Sequence, residues 1–173
     1  MCRNASGDIT GTSKVCTVQI VHRNEEGKCK CFILRIFNCT VLPTQFLELL
    51  RDETMIFVGV GVGGDLAKIG IEFHCAEVTK HMKNVINLGK FARKRNVVKN
   101  GVISLEKLVK IVLYESISKD TLVRCSKWSS SRLYNEQIIH AATDAIKSLE
   151  VYFKIHTLQD LSLRLEKTNK KIF

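Results

Sequence analysis

The sequence predicts a mixed α+β fold, one domain with a sheet covered by helices. Three observations carry this expectation: two β-rich runs flanking a polar turn, one unbroken apolar run followed by glycines, and a long stretch with helical periodicity near the C-terminus. A length of 173 residues suits one globular domain with a full core and is short for two domains and a linker. With 45% apolar and 25% charged residues, one Pro and ten Gly, the composition lies outside disordered and collagen-like chains.

The elements follow in order. Val15 to Val21 and Cys29 to Phe37 are rich in β-branched and aromatic residues and are separated by Arg23-Asn24-Glu25-Glu26-Gly27, which reads as an antiparallel hairpin. Pro43 stands where a first helical turn tolerates it, and Phe46, Leu47, Leu49 and Leu50 make a short amphipathic helix. Met55 to Val60 is apolar throughout, the pattern of a strand covered on both faces. Gly59, Gly61, Gly63 and Gly64 then open into a helix from Asp65, with its acid in the first turn. Val85 to Leu88 is a short strand. Ser104 caps a helix carrying Leu105, Leu108, Val109 and Val112. Asn135 to Ile155 is a longer helix with Ile138, Ile139, Ala142, Ile146, Leu149 and Phe153 on its apolar side. The expected organisation is an N-terminal segment at 1–13, one domain over 14–155, and a C-terminal helix with a basic tail over 156–173.

Lys and Arg number 27 against 17 Asp and Glu, a formal charge of +10 that favours a polyanionic partner, with nucleic acid foremost. No run reaches the roughly 18 apolar residues of a bilayer span, and the first residues carry no apolar signal segment. The expected setting is intracellular, nuclear or cytoplasmic, with no membrane partner. The seven cysteines show no Cys-x-x-Cys and no zinc-ligand spacing, so neither a disulfide framework nor a zinc site is expected. Cys16, Cys29, Cys31 and Cys39 fall in strand-like stretches, where a thiol acts as a small hydrophobe.

Gly59-x-Gly61-x-x-Gly64 matches the dinucleotide-binding fingerprint and lies between a strand and a helix. An antiparallel hairpin precedes it, however, and no acid ends the next strand, where Asn87 and Gly89 stand instead; a tight strand-to-helix turn explains the glycines better. Asp65 alone would be a charge favourable near a helix N-terminus. His140 and Asp144, four residues apart, share one helix face, and Gln137 and Lys147 could join them in a solvated polar stripe. Lys90-Phe91-Ala92-Arg93-Lys94-Arg95 combines cations with an aromatic that could stack on a base, and weakly fits a nuclear-localisation pattern. Arg124, Lys127 and Arg132 form a second basic group around Trp128, which reads as a packing residue of a docked loop.

Two longer stretches decide among these readings. Phe57-Val58-Gly59-Val60-Gly61-Val62-Gly63-Gly64-Asp65 resembles the second exonuclease motif of the 3'-5' exonuclease domains of the Werner-syndrome type, members of the DnaQ-like, RNase H-fold nucleases. Arg124-Cys125-Ser126-Lys127-Trp128-Ser129 with Ala141-Ala142-Thr143-Asp144-Ala145 resembles the third. Order and spacing agree, and the resemblance runs from about residue 14 to 155. It implies an RNase H-like mixed sheet covered by helices, hydrolysis of phosphodiesters from single-stranded or 3' ends of DNA or RNA, and Mg2+ or Mn2+ as cofactor. It makes Asp65 and Asp144 metal ligands and catalytic residues, and puts His140 where the family usually has a water-positioning Tyr. It leaves Lys90, Phe91, Arg93, Lys94, Arg95, Arg124, Lys127 and Arg132 as nucleic-acid contacts.

The family's first strand, with its Asp-x-Glu pair, precedes the segment resembling Val15 to Val21, and no Asp-x-Glu, Glu-x-Glu or Glu-x-Asp occurs anywhere here. Two carboxylates stand where the family uses four, and loss of that central strand would open a backbone edge or a gap beneath the helices. Two readings stay open: a shortened form of an active enzyme, or a pseudo-nuclease that binds as a nucleic-acid-binding or assembly subunit. The oligomeric state is open between a homo-oligomer and an assembly with a partner subunit.

Overall fold

The computed structural model describes residues 14–76, 78, 84–118 and 120–158. The segment 1–13 and most of the expected tail, 159–173, lie outside them. Thr17–Arg23 (β1) and Cys29–Arg35 (β2) form the expected hairpin, paired antiparallel from Thr17 opposite Arg35 to Arg23 opposite Cys29. Pro43 precedes Thr44–Arg51 (α1), and its carbonyl accepts the Phe46 and Leu47 N–H groups at 3.0 and 3.1 Å. Phe57–Gly59 (β3) leads through a glycine turn into Val62–Glu72 (α2), and Val85–Asn87 (β4) pairs parallel with β3. Leu88–Lys94 (α3), Leu105–Val112 (α4), Thr121–Arg124 (α5) and Asn135–His156 (α6) complete the described elements.

The mixed character is realised as two separate two-stranded sheets, one antiparallel and one parallel, with no pairing between them among the described residues. Both occupy the same layer. On one side Val18, Ile20 and Leu34 of the hairpin and Phe57 and Val85 of the parallel pair pack on one cluster with Ile36, Phe46, Leu50, Leu66 and Ile69. On the other side lies α6, which contacts β1, β2 and β3 as well as α3, α4 and α5. Its Val151 and Ile155, fully buried, join a second cluster with Leu88, Leu108, Val109 and, from β3, Val58. One helix thus bridges two strand pairs whose remaining edges carry no partner strand among the described residues.

That division explains where strand burial falls short of the pattern. Met55 and Ile56, expected inside a doubly covered strand, are exposed and precede a strand of only three residues. A neighbour on one edge alone shields less of an apolar run than a place inside a wide sheet. Ile138 and Ile139 are likewise exposed, at 42% and 64%, since the buried residues of that turn of α6 are Gln137 and Ala141. Cys16 and Cys31 are half-buried, and that burial raises both thiol pKa values, with Glu72 adding to the effect at Cys16; Cys29 and Cys39 are exposed. No helix of the described residues is long and apolar enough to cross a membrane.

Candidate active site

The turn from β3 into α2 needs a glycine at one point. Gly61 caps the helix with φ of 77°, a left-handed conformation that side chains with a Cβ adopt only under strain. Gly64 has open space around the Cβ it lacks. A dinucleotide fingerprint uses its third glycine for close helix packing, so the geometry here favours a plain turn. Asn87, at the end of β4, spends its side chain accepting the Lys90 N–H at 3.1 Å, which caps α3. Asp65 sits in the first turn of α2 beyond the carboxyl end of β3, the edge where open α/β sheets hold ligands. Burial pushes its carboxyl above the ordinary value, and Lys68 pulls it partly back.

The second group forms at the start of α6. Tyr134 and Gln137 make a capping box, the Gln137 Oε1 accepting the Tyr134 N–H at 2.9 Å. From its other end the Gln137 Nε2 donates to Ser126 Oγ at 2.8 Å and to the Lys127 carbonyl at 3.4 Å. Gln137 is 1% exposed, so the solvated stripe through Gln137, His140, Asp144 and Lys147 does not form. Its burial draws Arg124 to Ser129 onto the helix. Trp128 then stands with its ring centroid 6.3 Å from that of His140, its Nε1 donating to the Arg124 carbonyl at 3.1 Å, the docked position expected for it. Arg35, at the end of β2, holds the next residues by donating to the Ser130 and Ser131 carbonyls.

His140 Nε2 lies 3.9 Å from Asp144 Oδ2, an ion-pair distance when the imidazole is protonated and too long for a hydrogen bond. Burial raises the Asp144 pKa, while His140 and Arg124 act against it. Chemically, the pair offers one carboxylate with an imidazole beside it and an indole wall, a place to orient a water or a polar ligand. Lys147, one turn further on, is neutralised by Glu115 and Glu150, each at 2.7 Å.

These two groups hold the segments that resemble the second and third exonuclease motifs, and a family-wide comparison agrees with them. The model of the 3'-5' exonuclease family matches residues 4–159. The chain belongs to the 3'-5' exonuclease family. Among this family's members, it is 30% identical over 148 residues to the mouse (Mus musculus) bifunctional 3'-5' exonuclease/ATP-dependent helicase WRN, covering 86% of this chain and 10% of that protein. It is 29% identical over 147 residues to a 3'-5' exonuclease of Arabidopsis thaliana, covering 85% of this chain and 47% of the relative. The chain thus spans from a tenth to about half the length of these relatives. The crystal structure of the EXD2 exonuclease domain soaked in Mn is 27% identical, with a TM-score of 0.38, over 92% of this chain and 79% of that one.

Membership of the 3'-5' exonuclease family raises the question of divalent metal. The described residues do not fit a metal pair. Lys68 is the charge acting on Asp65, while His140 and Arg124 are those acting on Asp144. Among the described residues no three His, Cys, Asp or Glu side chains gather as a cage. Two carboxylates set two negative charges against the four positive charges of two divalent ions, too few to hold both.

The basic stretch at 90–95 folds as α3, an element not distinguished from a loop by its sequence. Phe91, expected to stack on bases, is engaged internally: its ring stacks on Tyr152 at 5.6 Å and lies under the Arg95 guanidinium at 5.1 Å. Arg95 also donates to the His156 and Leu158 carbonyls at the end of α6. Lys90, Arg93 and Lys94 are left exposed. Lys127 and Arg132 are exposed beside the Trp128 loop, and Arg124 lies near enough to act on Asp144. What sequence reasoning missed is Gln137; the one available signal was its place three residues after Tyr134, the spacing of a capping box.

Proposed function

We propose that this chain is a nucleic-acid-binding domain of the 3'-5' exonuclease family that engages single-stranded 3' ends, and whose own side chains do not complete the family's cleavage centre. The observation that carries this reading is the composition of the candidate site: His140 and Asp144 on α6, Arg124 and Trp128 docked beside them, and no cluster of three His, Cys, Asp or Glu side chains among the described residues. Arg124, Lys127 and Arg132 provide cations for phosphates near Asp144, and the formal charge of +10 supplies attraction at longer range. His140 takes the role of orienting a polar group of the strand's end against the indole wall. Mg2+ or Mn2+ would require further carboxylates, so hydrolysis by this chain alone is slow.

Fluorescence anisotropy with a labelled single-stranded oligonucleotide tests the reading. Binding is expected to weaken steeply as salt rises, and to weaken further in Arg124→Ala and Lys127→Ala. Salt-insensitive binding, or none at low salt, would overturn it.

A further inference from the structure

Away from Asp65 and Asp144, α3 and the loop ahead of α4 border an open surface recess of about 410 Å3 lined by Lys90, Arg93, Lys94, Asn100, Gly101 and Val102. The recess is built by a close backbone approach. A Cβ on Gly89 would stand 2.2 Å from the Gly101 carbonyl oxygen, so only glycine at that position lets the loop lie so near the helix. Asn100 then folds the loop tip, its Oδ1 accepting the Val102 N–H at 2.9 Å. Lys90, Arg93 and Lys94 stand at i, i+3 and i+4 and therefore share one helix face. All three are exposed, no acidic side chain lines the recess, and no ion pair involves any of them among the described residues. Like charges clustered at this spacing repel one another, a cost that a polyanion removes on binding. Val102, 89% exposed at the rim, adds an uncovered apolar surface next to the charges.

We infer that this recess is a seat for the phosphodiester backbone of a nucleic-acid strand, separate from the site at Asp144. The inference rests on the proposed nucleic-acid binding and adds a second point of contact to it. Phe91 and Arg95 hold the platform from beneath by tying α3 to the end of α6, while the three exposed cations meet the phosphates.

The test compares three 173-residue proteins binding a labelled oligothymidylate across a salt series. They are the wild type, a recess variant (Lys90→Gln, Arg93→Gln, Lys94→Gln) and a control (Lys30→Gln, Lys110→Gln, Lys154→Gln) of equal net charge. Three lost phosphate contacts to a single strand should lower the slope of log affinity against log salt by about 2. The control should retain nearly the wild-type slope. Val102→Asp, which adds a charge at an exposed rim without disturbing the core, should weaken binding several-fold and guards against a folding defect in the triple variant. Equal slopes in the recess and control variants would overturn the seat while leaving nucleic-acid binding intact. Failure of the wild type itself to bind, or its binding to anionic lipid vesicles in preference to the oligonucleotide, would overturn both.

Discussion

Gln137 joins α6 to the loop that carries Trp128: its Nε2 donates to Ser126 Oγ at 2.8 Å while its Oε1 accepts the Tyr134 N–H at 2.9 Å. The side chain is 1% exposed and both ends are engaged, so it acts at once as helix cap and as clamp on the candidate site.

Gln137→Ala should therefore cost about 1–3 kcal/mol, because it removes the helix cap together with the hydrogen bonds that clamp Ser126 and Lys127 to α6. Urea denaturation followed by far-UV circular dichroism measures the change as a lower midpoint at unchanged slope. A loss below about 0.5 kcal/mol would mean that the loop holds to the helix by other contacts.

The glycine turn gives a paired prediction. Gly61→Ala forces a Cβ into the left-handed conformation and should destabilise by about 1–2 kcal/mol. Gly64→Ala lies inside α2 with free space around the new methyl and should leave stability unchanged or raise it by up to about 1 kcal/mol. Thermal melts of the two variants decide this; a large loss at Gly64 would revive the fingerprint reading of the motif.

Burial raises the folded-state pKa of Asp144, opposed in part by His140 and Arg124, so the native state binds more protons than the unfolded chain between the ordinary and the raised values. The sign follows: the stability from this group is fully present below the ordinary carboxylate range and is lost as pH rises through the raised value. Asp144→Asn should flatten the dependence of unfolding free energy on pH through the weakly acidic range, and the variant should gain relative to wild type above it. Urea titrations from about pH 3 to about pH 7 measure the difference. A variant curve parallel to that of the wild type would remove the burial argument.

Elements set by local chemistry could be read from the residues alone. The hairpin, Pro43 ahead of α1, the Ser104 cap, whose Oγ accepts the Lys107 N–H at 3.4 Å, and the long α6 all follow from turn residues, caps or periodicity. Tertiary contacts decided the rest. Ile138 and Ile139 fit the helical pattern yet face solvent, since periodicity identifies an apolar side without saying whether anything covers it. Arg95 reads as one more cation in a basic run, and its engagement with the end of α6 depends on a chain segment some 60 residues away. The four-residue α5 is too short to leave a periodic signal; its cap, the Asp120 carboxylate accepting the Leu122 and Val123 N–H groups, was its only mark. At the site, the resemblance supplied the residue types as expectations, while the partners of each carboxylate required the fold.

We propose that this chain binds 3' ends and that the carboxylates among its described residues do not suffice to cut them. The most direct measurement is a time course of digestion of a 3'-recessed or single-stranded oligonucleotide by the 173-residue chain, supplied with Mg2+ or Mn2+ and compared with a complete family member. The account predicts binding with far slower degradation, rescue when a strand bearing Asp-x-Glu is fused ahead of β1, and loss of that rescue in Asp144→Ala. Robust 3'-5' digestion by the unextended chain, abolished by Asp144→Ala, would contradict it and assign the missing acids' work to another group.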